Sequence, residues 1–166
     1  MKARIPRGLY AVTPDGLAED PERLLAACAA ALEGGAVLLQ YRDKRSTAEP
    51  REQNAIALLA LCRSHGGRLI INDDAALAAR IGADGVHLGA SDGSIEAARA
   101  LLGPDALIGA SCGNLLARAE AAIAAGASYV AFGRYFPSRT KPDAPPASID
   151  TLIAARLQLT VPICAI

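Results

Sequence analysis

Apolar residues recur along the chain in two alternating periods. Seven short runs read as buried strands: Leu9-Tyr10-Ala11-Val12-Thr13, Ala36-Val37-Leu38-Leu39, Arg68-Leu69-Ile70-Ile71, Gly85-Val86-His87-Leu88, Leu107-Ile108-Gly109-Ala110-Ser111, Tyr129-Val130-Ala131-Phe132 and Val161-Pro162-Ile163-Cys164-Ala165-Ile166. Between them lie stretches with helical spacing. Asp20-Pro21-Glu22 predicts a capped start, Leu24, Leu25, Cys28 and Leu32 form one apolar face, and Gly34-Gly35 ends the helix. Further helices are predicted from Thr47 to Ser64, Ala75 to Ile81, Ser94 to the Gly103-Pro104 stop, Leu115 to Ala125, and Ser148 to Arg156. The last follows a long loop, residues 133–147, rich in proline and cations.

Strict strand–helix alternation predicts a parallel sheet with right-handed crossovers. A Gly-Ala pair precedes alternate strands at Gly35-Ala36, Gly82-Ala83 and Gly126-Ala127, and each interval holds two strand–helix units. That repeat suits a (β/α)8 TIM barrel, an α/β fold whose alternate strands fill its layers. The first strand is not followed by Gly-x-Gly-x-x-Gly, which disfavours a dinucleotide-binding fold. Seven strands leave an eight-stranded barrel open. The expectation is a single barrel domain over residues 1–166, C-terminally incomplete and lacking the last βα unit, or else an edge covered by a partner such as a second copy.

Composition narrows the function. At 166 residues and 52% hydrophobic, the chain has enough apolar material for one sizeable core, although aromatics are only 4% and tryptophan is absent. Seventeen basic and seventeen acidic residues cancel, which argues against a nucleic-acid or membrane-surface partner while allowing a local cationic pocket. The four cysteines are widely spaced without a CxxC and read as reduced core residues. The opening residues do not form a secretory leader, and charge or glycine breaks every apolar stretch before membrane length, so a cytoplasmic location is expected.

The candidate chemistry gathers at strand ends. Gln40, Arg42 and Lys44 alternate at the end of the second strand and should face one way, where an anion must meet them: a protein carboxylate or a phosphate. Asn72 and Asp73 follow the third strand, Asp92 the fourth and Ser111 the fifth; Ser138, Thr140 and Lys141 follow the sixth. Cations, hydroxyls and two carboxylates from separate loops are the equipment for a diphosphate with Mg2+. No His or Cys pair has zinc-ligand spacing. Taken singly, each residue also has a structural use. Asp73 or Asn72 could cap the next helix, Asp92 could hold its Gly-Ala-Ser-Asp-Gly turn, and Ser111 could end a strand. Residues 138–141 could form a solvated loop, His87 could be a satisfied core or rim histidine, and His65 could meet a helix C-terminus. Five strand ends carrying such residues together favour the phosphate site.

Several motifs in chain order resemble the thiamine-phosphate synthase family: Gln40-x-Arg42-x-Lys44, Ile71-Asn72-Asp73, the stretch from Gly82 to Gly89 with Asp92, Ile108-Gly109-x-Ser111, and Gly133-x-x-Phe136-Pro137-Ser138-x-Thr140-Lys141. The resemblance implies a barrel transferase that joins a hydroxymethylpyrimidine diphosphate to a thiazole phosphate and releases diphosphate. It implies Mg2+ on Asp73 and Asp92, and the diphosphate on Arg42, Lys44, Asn72, Ser111 and Lys141. Gln40 would lie near the pyrimidine, and Ser138 and Thr140 would hold the thiazole phosphate. Of these, Arg42, Lys44, Ser111 and Lys141 would carry the catalysis. Ala90 stands where the family usually has Gln, and Ser138 where Thr is usual. Gly113 stands where the family and its thiazole-tautomerase relatives often carry a His; the tautomerase relies on that His for proton transfer, which weakens that alternative. A phosphate-binding homologue without turnover is the other alternative, supported by Ala90 and the short C-terminus.

Overall fold

The computed structural model describes Ile5, residues 7–137 and residues 145–166. Its elements alternate as the apolar pattern predicts. They are β1 (Leu9–Val12), α1 (Pro21–Glu33), β2 (Ala36–Tyr41), α2 (Ala48–Ser64), β3 (Arg68–Asn72), α3 (Ala75–Ile81) and β4 (Gly85–Leu88). Then follow α4 (Ile95–Leu102), β5 (Leu107–Gly113), α5 (Leu116–Ala124), β6 (Tyr129–Phe132), α6 (Ile149–Gln158) and β7 (Ile163–Ala165). All neighbouring strands pair parallel, in the sheet order β1-β2-β3-β4-β5-β6-β7, giving a nearly closed barrel wrapped by helices. A short 3-10 turn, Leu17–Glu19, was not legible in the pattern. β5 runs past Ser111 to Gly113, and β7 starts only after Pro162, which has no N–H to donate to the ladder.

Strand alternation divides the apolar residues into two sets. Leu39, Tyr41, Leu69, Ile71, Val86 and Ile108 pack outward against Leu24, Cys28, Leu58, Cys62 and Leu77 of the helices. Leu38, Ile70 and Leu107 form a smaller cluster inside the barrel floor. Two glycines make room for that interior. A Cβ at Gly85 would collide with the Leu107 carbonyl, and one at Gly109 would overlap the Tyr129 ring. Fully buried, Tyr129 can therefore lie across the barrel.

Helix starts follow the caps. Asp20, Ser94 and Ser148 accept hydrogen bonds from Arg23 N, Ala97 N and Thr151 N. α3 is capped by Asp74, whose carboxylate accepts from Leu77 N at 2.8 Å. Neither Asn72 nor Asp73 does that job, so Asp73 is released toward the barrel mouth. At the opposite end Arg99 ties three segments together. Its guanidinium donates to the carbonyls of Gly103, Ala106 and Gly126 and to Ser128 Oγ, at 2.7–3.0 Å. The cysteines are free, with Cys28, Cys62 and Cys112 buried. His65 meets the last turn of α2, its Nδ1 3.0 Å from Leu61 O.

Candidate active site

The carboxyl ends of β2 to β5 converge on one pocket, with about 250 Å3 of empty space including its open mouth. Arg42, Lys44, Asn72, Asp73, His87, Gly89, Asp92 and Ser111 line it. Six of the residues read from the sequence therefore come together: Arg42, Lys44, Asn72, Asp73, Asp92 and Ser111. Gln40 lies beneath them, buried inside the barrel, where its Nε2 donates to the Tyr10 hydroxyl at 2.8 Å. Ser138, Thr140 and Lys141 lie outside the described residues.

The β2 end is held from several sides. Buried Thr13, just beyond β1, accepts from Arg42 N at 2.8 Å and donates to Arg42 O at 3.0 Å. Asp43 accepts from Arg45 N, from Ser46 N and from the Tyr41 hydroxyl. Burial works against its charge, but these donors outweigh it and keep the Asp43 carboxyl below the usual range. The two cations each meet a carboxylate: Arg42 pairs with Asp15, and Lys44 Nζ lies 2.8 Å from Asp73 Oδ2. Of the two anions expected for these cations, the protein carboxylate is the one the structure places against each. Half-exposed Lys44 is only weakly held by such a pair and remains available to a more highly charged anion.

Asp73 has φ of 64°, and no other described residue except glycine has a positive φ. Aspartate tolerates this left-handed conformation better than most residues, at a cost of order 1 kcal/mol. The turn directs its carboxylate at Lys44 and within hydrogen-bond reach of Asp92. Asp92 in turn accepts from Gly89 N at 3.0 Å, so it holds its turn and lines the pocket at once. Burial opposes its charge, yet the Gly89 amide, the Lys44 ammonium and the Ser91 hydroxyl keep the Asp92 carboxyl low.

Beneath the pocket runs a line of hydrogen bonds. Tyr10 Oη lies 2.8 Å from Tyr129 Oη, which is 3.0 Å from His87 Nδ1; His87 Nε2 is 2.9 Å from Ser111 Oγ. Burial pushes both phenols up, so they stay protonated across the working pH range. His87 is the satisfied interior histidine expected from its strand position, and it also reaches the pocket wall. Sequence reasoning missed Tyr10, Tyr129, Thr13 and Asp15. The available signal was two tyrosines within apolar strand runs of a chain with few aromatic residues.

A parallel barrel that presents cations, a hydroxyl and paired carboxylates at the carboxyl ends of its strands is an enzyme scaffold for phosphorylated small molecules. Comparison with known proteins makes this specific. The family model described as thiamine monophosphate synthase matches residues 9–166, and the chain belongs to that family. The thiamine-phosphate synthase of Chromobacterium violaceum is 63% identical over 142 residues, covering 86% of this chain and 68% of that protein. That of Thioalkalivibrio sulfidiphilus is 54% identical over 160 residues, 96% of this chain and 75% of its own length. Among solved structures, the thiamine phosphate pyrophosphorylase from Pyrococcus furiosus superposes with a TM-score of 0.82 at 30% identity, covering 95% of this chain and 73% of that one.

Proposed function

We propose that this chain is a thiamine-phosphate synthase transferase that joins 4-amino-5-hydroxymethyl-2-methylpyrimidine diphosphate to a thiazole phosphate, with Mg2+ as cofactor. The observation that carries the reading is the convergence of Arg42, Lys44, Asn72, Asp73, Asp92 and Ser111 on one pocket, in a chain of this family.

The donor set fits Mg2+. Two carboxylates within reach of each other need a cation between or beside them, and Lys44 alone is half exposed. Among the described residues no group of three or more His, Cys, Asp and Glu forms a metal cage. Mg2+ suits such a sparse site because it keeps waters and shares phosphate oxygens. Asp73 and Asp92 would hold it, and when bound it neutralises diphosphate charge. Arg42, Lys44 and Lys141 draw the same anion, with Asn72 and Ser111 donating to its oxygens. The bond from the pyrimidine methylene to oxygen then breaks, and its electron pair leaves with the diphosphate. The thiazole nitrogen lone pair closes the new carbon–nitrogen bond on the resulting pyrimidine-methyl cation. No proton transfer is required, so the residues serve to bind charge and exclude water. Gln40 is assigned to the pyrimidine side, and Ser138 and Thr140 to the thiazole phosphate. Free, buried cysteines suit a reducing compartment, and the cytoplasm is the proposed location. No described helix is long and apolar enough to cross a membrane.

The test is product formation from the two substrates with Mg2+ and with a chelator. Thiamine phosphate and diphosphate appearing together only with metal is the expected result. Isomerisation of the thiazole without metal would favour the tautomerase, and ligand binding without product would favour a binding homologue.

A further inference from the structure

The line of hydrogen bonds under the pocket has a direction. Gln40 faces Tyr10 with Nε2, a group that can only donate. The Tyr10 oxygen, accepting from Gln40, is left to donate its own proton to Tyr129 Oη at 2.8 Å. Tyr129 must then donate to His87 Nδ1 at 3.0 Å, which puts the imidazole proton on Nε2, where it faces Ser111 Oγ at 2.9 Å. Ser111 accepts that bond, and its own hydroxyl proton is free to point into the pocket. Reversal of the line would leave Ser111 donating downward to His87 and turning lone pairs toward any bound anion. Only the first polarity makes Ser111 a donor, in keeping with Arg42 and Lys44 on the same wall.

We infer that His87 and Tyr129 are positioning residues that hold Ser111 as an outward hydrogen-bond donor to the diphosphate, through the His87 ring nitrogen Nε2 donating to the Ser111 hydroxyl. The inference rests on the synthase reading of the pocket and adds to it the means by which the hydroxyl is oriented. Tyr129 does not line the pocket, and His87, which does, turns its Nε2 to Ser111. Each acts through Ser111.

Only two histidines occur in the chain, so a long-range proton–nitrogen NMR spectrum of the labelled protein, compared with His87→Gln, assigns the His87 ring nitrogens. The expected spectrum has Nε2 protonated and Nδ1 bare; a proton on Nδ1 overturns the inference. Calorimetry with inorganic diphosphate and Mg2+ supplies the second reading. Ser111→Ala and Tyr129→Phe should each weaken binding by about tenfold or more, the usual worth of a hydrogen bond to a charged group. The double variant should bind no more weakly than Ser111→Ala alone, because Tyr129 works through that hydroxyl. Additive losses overturn the inference. Should Tyr129→Phe not fold, Tyr10→Phe interrupts the same line one step earlier and takes its place in the cycle. Failure of the wild-type chain to bind diphosphate would refute the synthase reading, whereas binding combined with additive losses or an Nδ1 proton refutes the positioning role alone.

Discussion

Asp73→Asn separates the chemistry of the site from its architecture. Asparagine shares aspartate's tolerance of the left-handed backbone, so the 64° φ at residue 73 need not relax. The lost interaction is the Lys44 ion pair at 2.8 Å, with Lys44 51% exposed; a pair of this kind contributes about 0–1 kcal/mol. Easing the repulsion with Asp92 acts in the opposite direction. Net stability should therefore change by less than about 1 kcal/mol, and Tm by under about 4 °C for a chain of this size. Turnover should respond on another scale. A metal that stabilises transition-state charge contributes several kcal/mol, and each 1.36 kcal/mol is tenfold in rate, so loss of one of the two proposed carboxylate ligands should lower kcat/KM by about 100-fold or more. Steady-state assays across a Mg2+ titration, beside thermal unfolding of the same sample, read both numbers. A variant with wild-type kcat/KM and an unchanged metal requirement would refute the assignment of Asp73. A collapse of Tm by much more than the stated bound would show that its role is structural.

Other perturbations probe different parts of the account. Gly109→Ala pushes a Cβ into the Tyr129 ring, and overpacking of this kind should cost about 1–3 kcal/mol in denaturant unfolding, while activity falls as His87 and Ser111 shift. Arg99→Met strands the carbonyls of Gly103, Ala106 and Gly126 at the barrel base; chemical denaturation should show a loss of about 2–5 kcal/mol, with kcat of the folded fraction unchanged because the residue is remote from the pocket. Burial pushes the thiols of Cys28 and Cys112 up to about 11 and that of Cys62 to about 12. A raised folded-state pKa means that this contribution to stability is fully present below the ordinary thiol value near 9 and is lost as pH climbs through 11 to 12. Native thiol titration with a disulfide reagent at pH 8 should accordingly be slow at these sites, and rapid labelling would contradict the packing.

Much of the barrel was legible in the sequence because its strands are continuous apolar runs and its helices carry capping residues. Alternation alone placed the catalytic candidates at strand ends, and the structure brings Arg42, Lys44, Asn72, Asp73, Asp92 and Ser111 together. The competition for the α3 cap was not legible. Three polar residues, Asn72, Asp73 and Asp74, stand in a row, and only the backbone angle at Asp73 decides that Asp74 caps and Asp73 faces the pocket. Gln40 was expected to face the same way as Arg42 and Lys44, toward an anion; it is buried beneath them instead, and its partner Tyr10 lies thirty residues away on β1, a contact no local spacing reveals. The same holds for Tyr129, which reaches His87 only because Gly109 vacates the space between.

The central claim is that Asp73 and Asp92 hold a divalent cation shared with a diphosphate. Electron paramagnetic resonance of Mn2+, substituted for Mg2+ and titrated into the protein with inorganic diphosphate, tests it most directly. The account predicts that diphosphate tightens Mn2+ binding to the wild-type chain and that the Asp73→Asn/Asp92→Asn variant, still folded, loses the bound signal. Equal Mn2+ binding by wild type and double variant would contradict it.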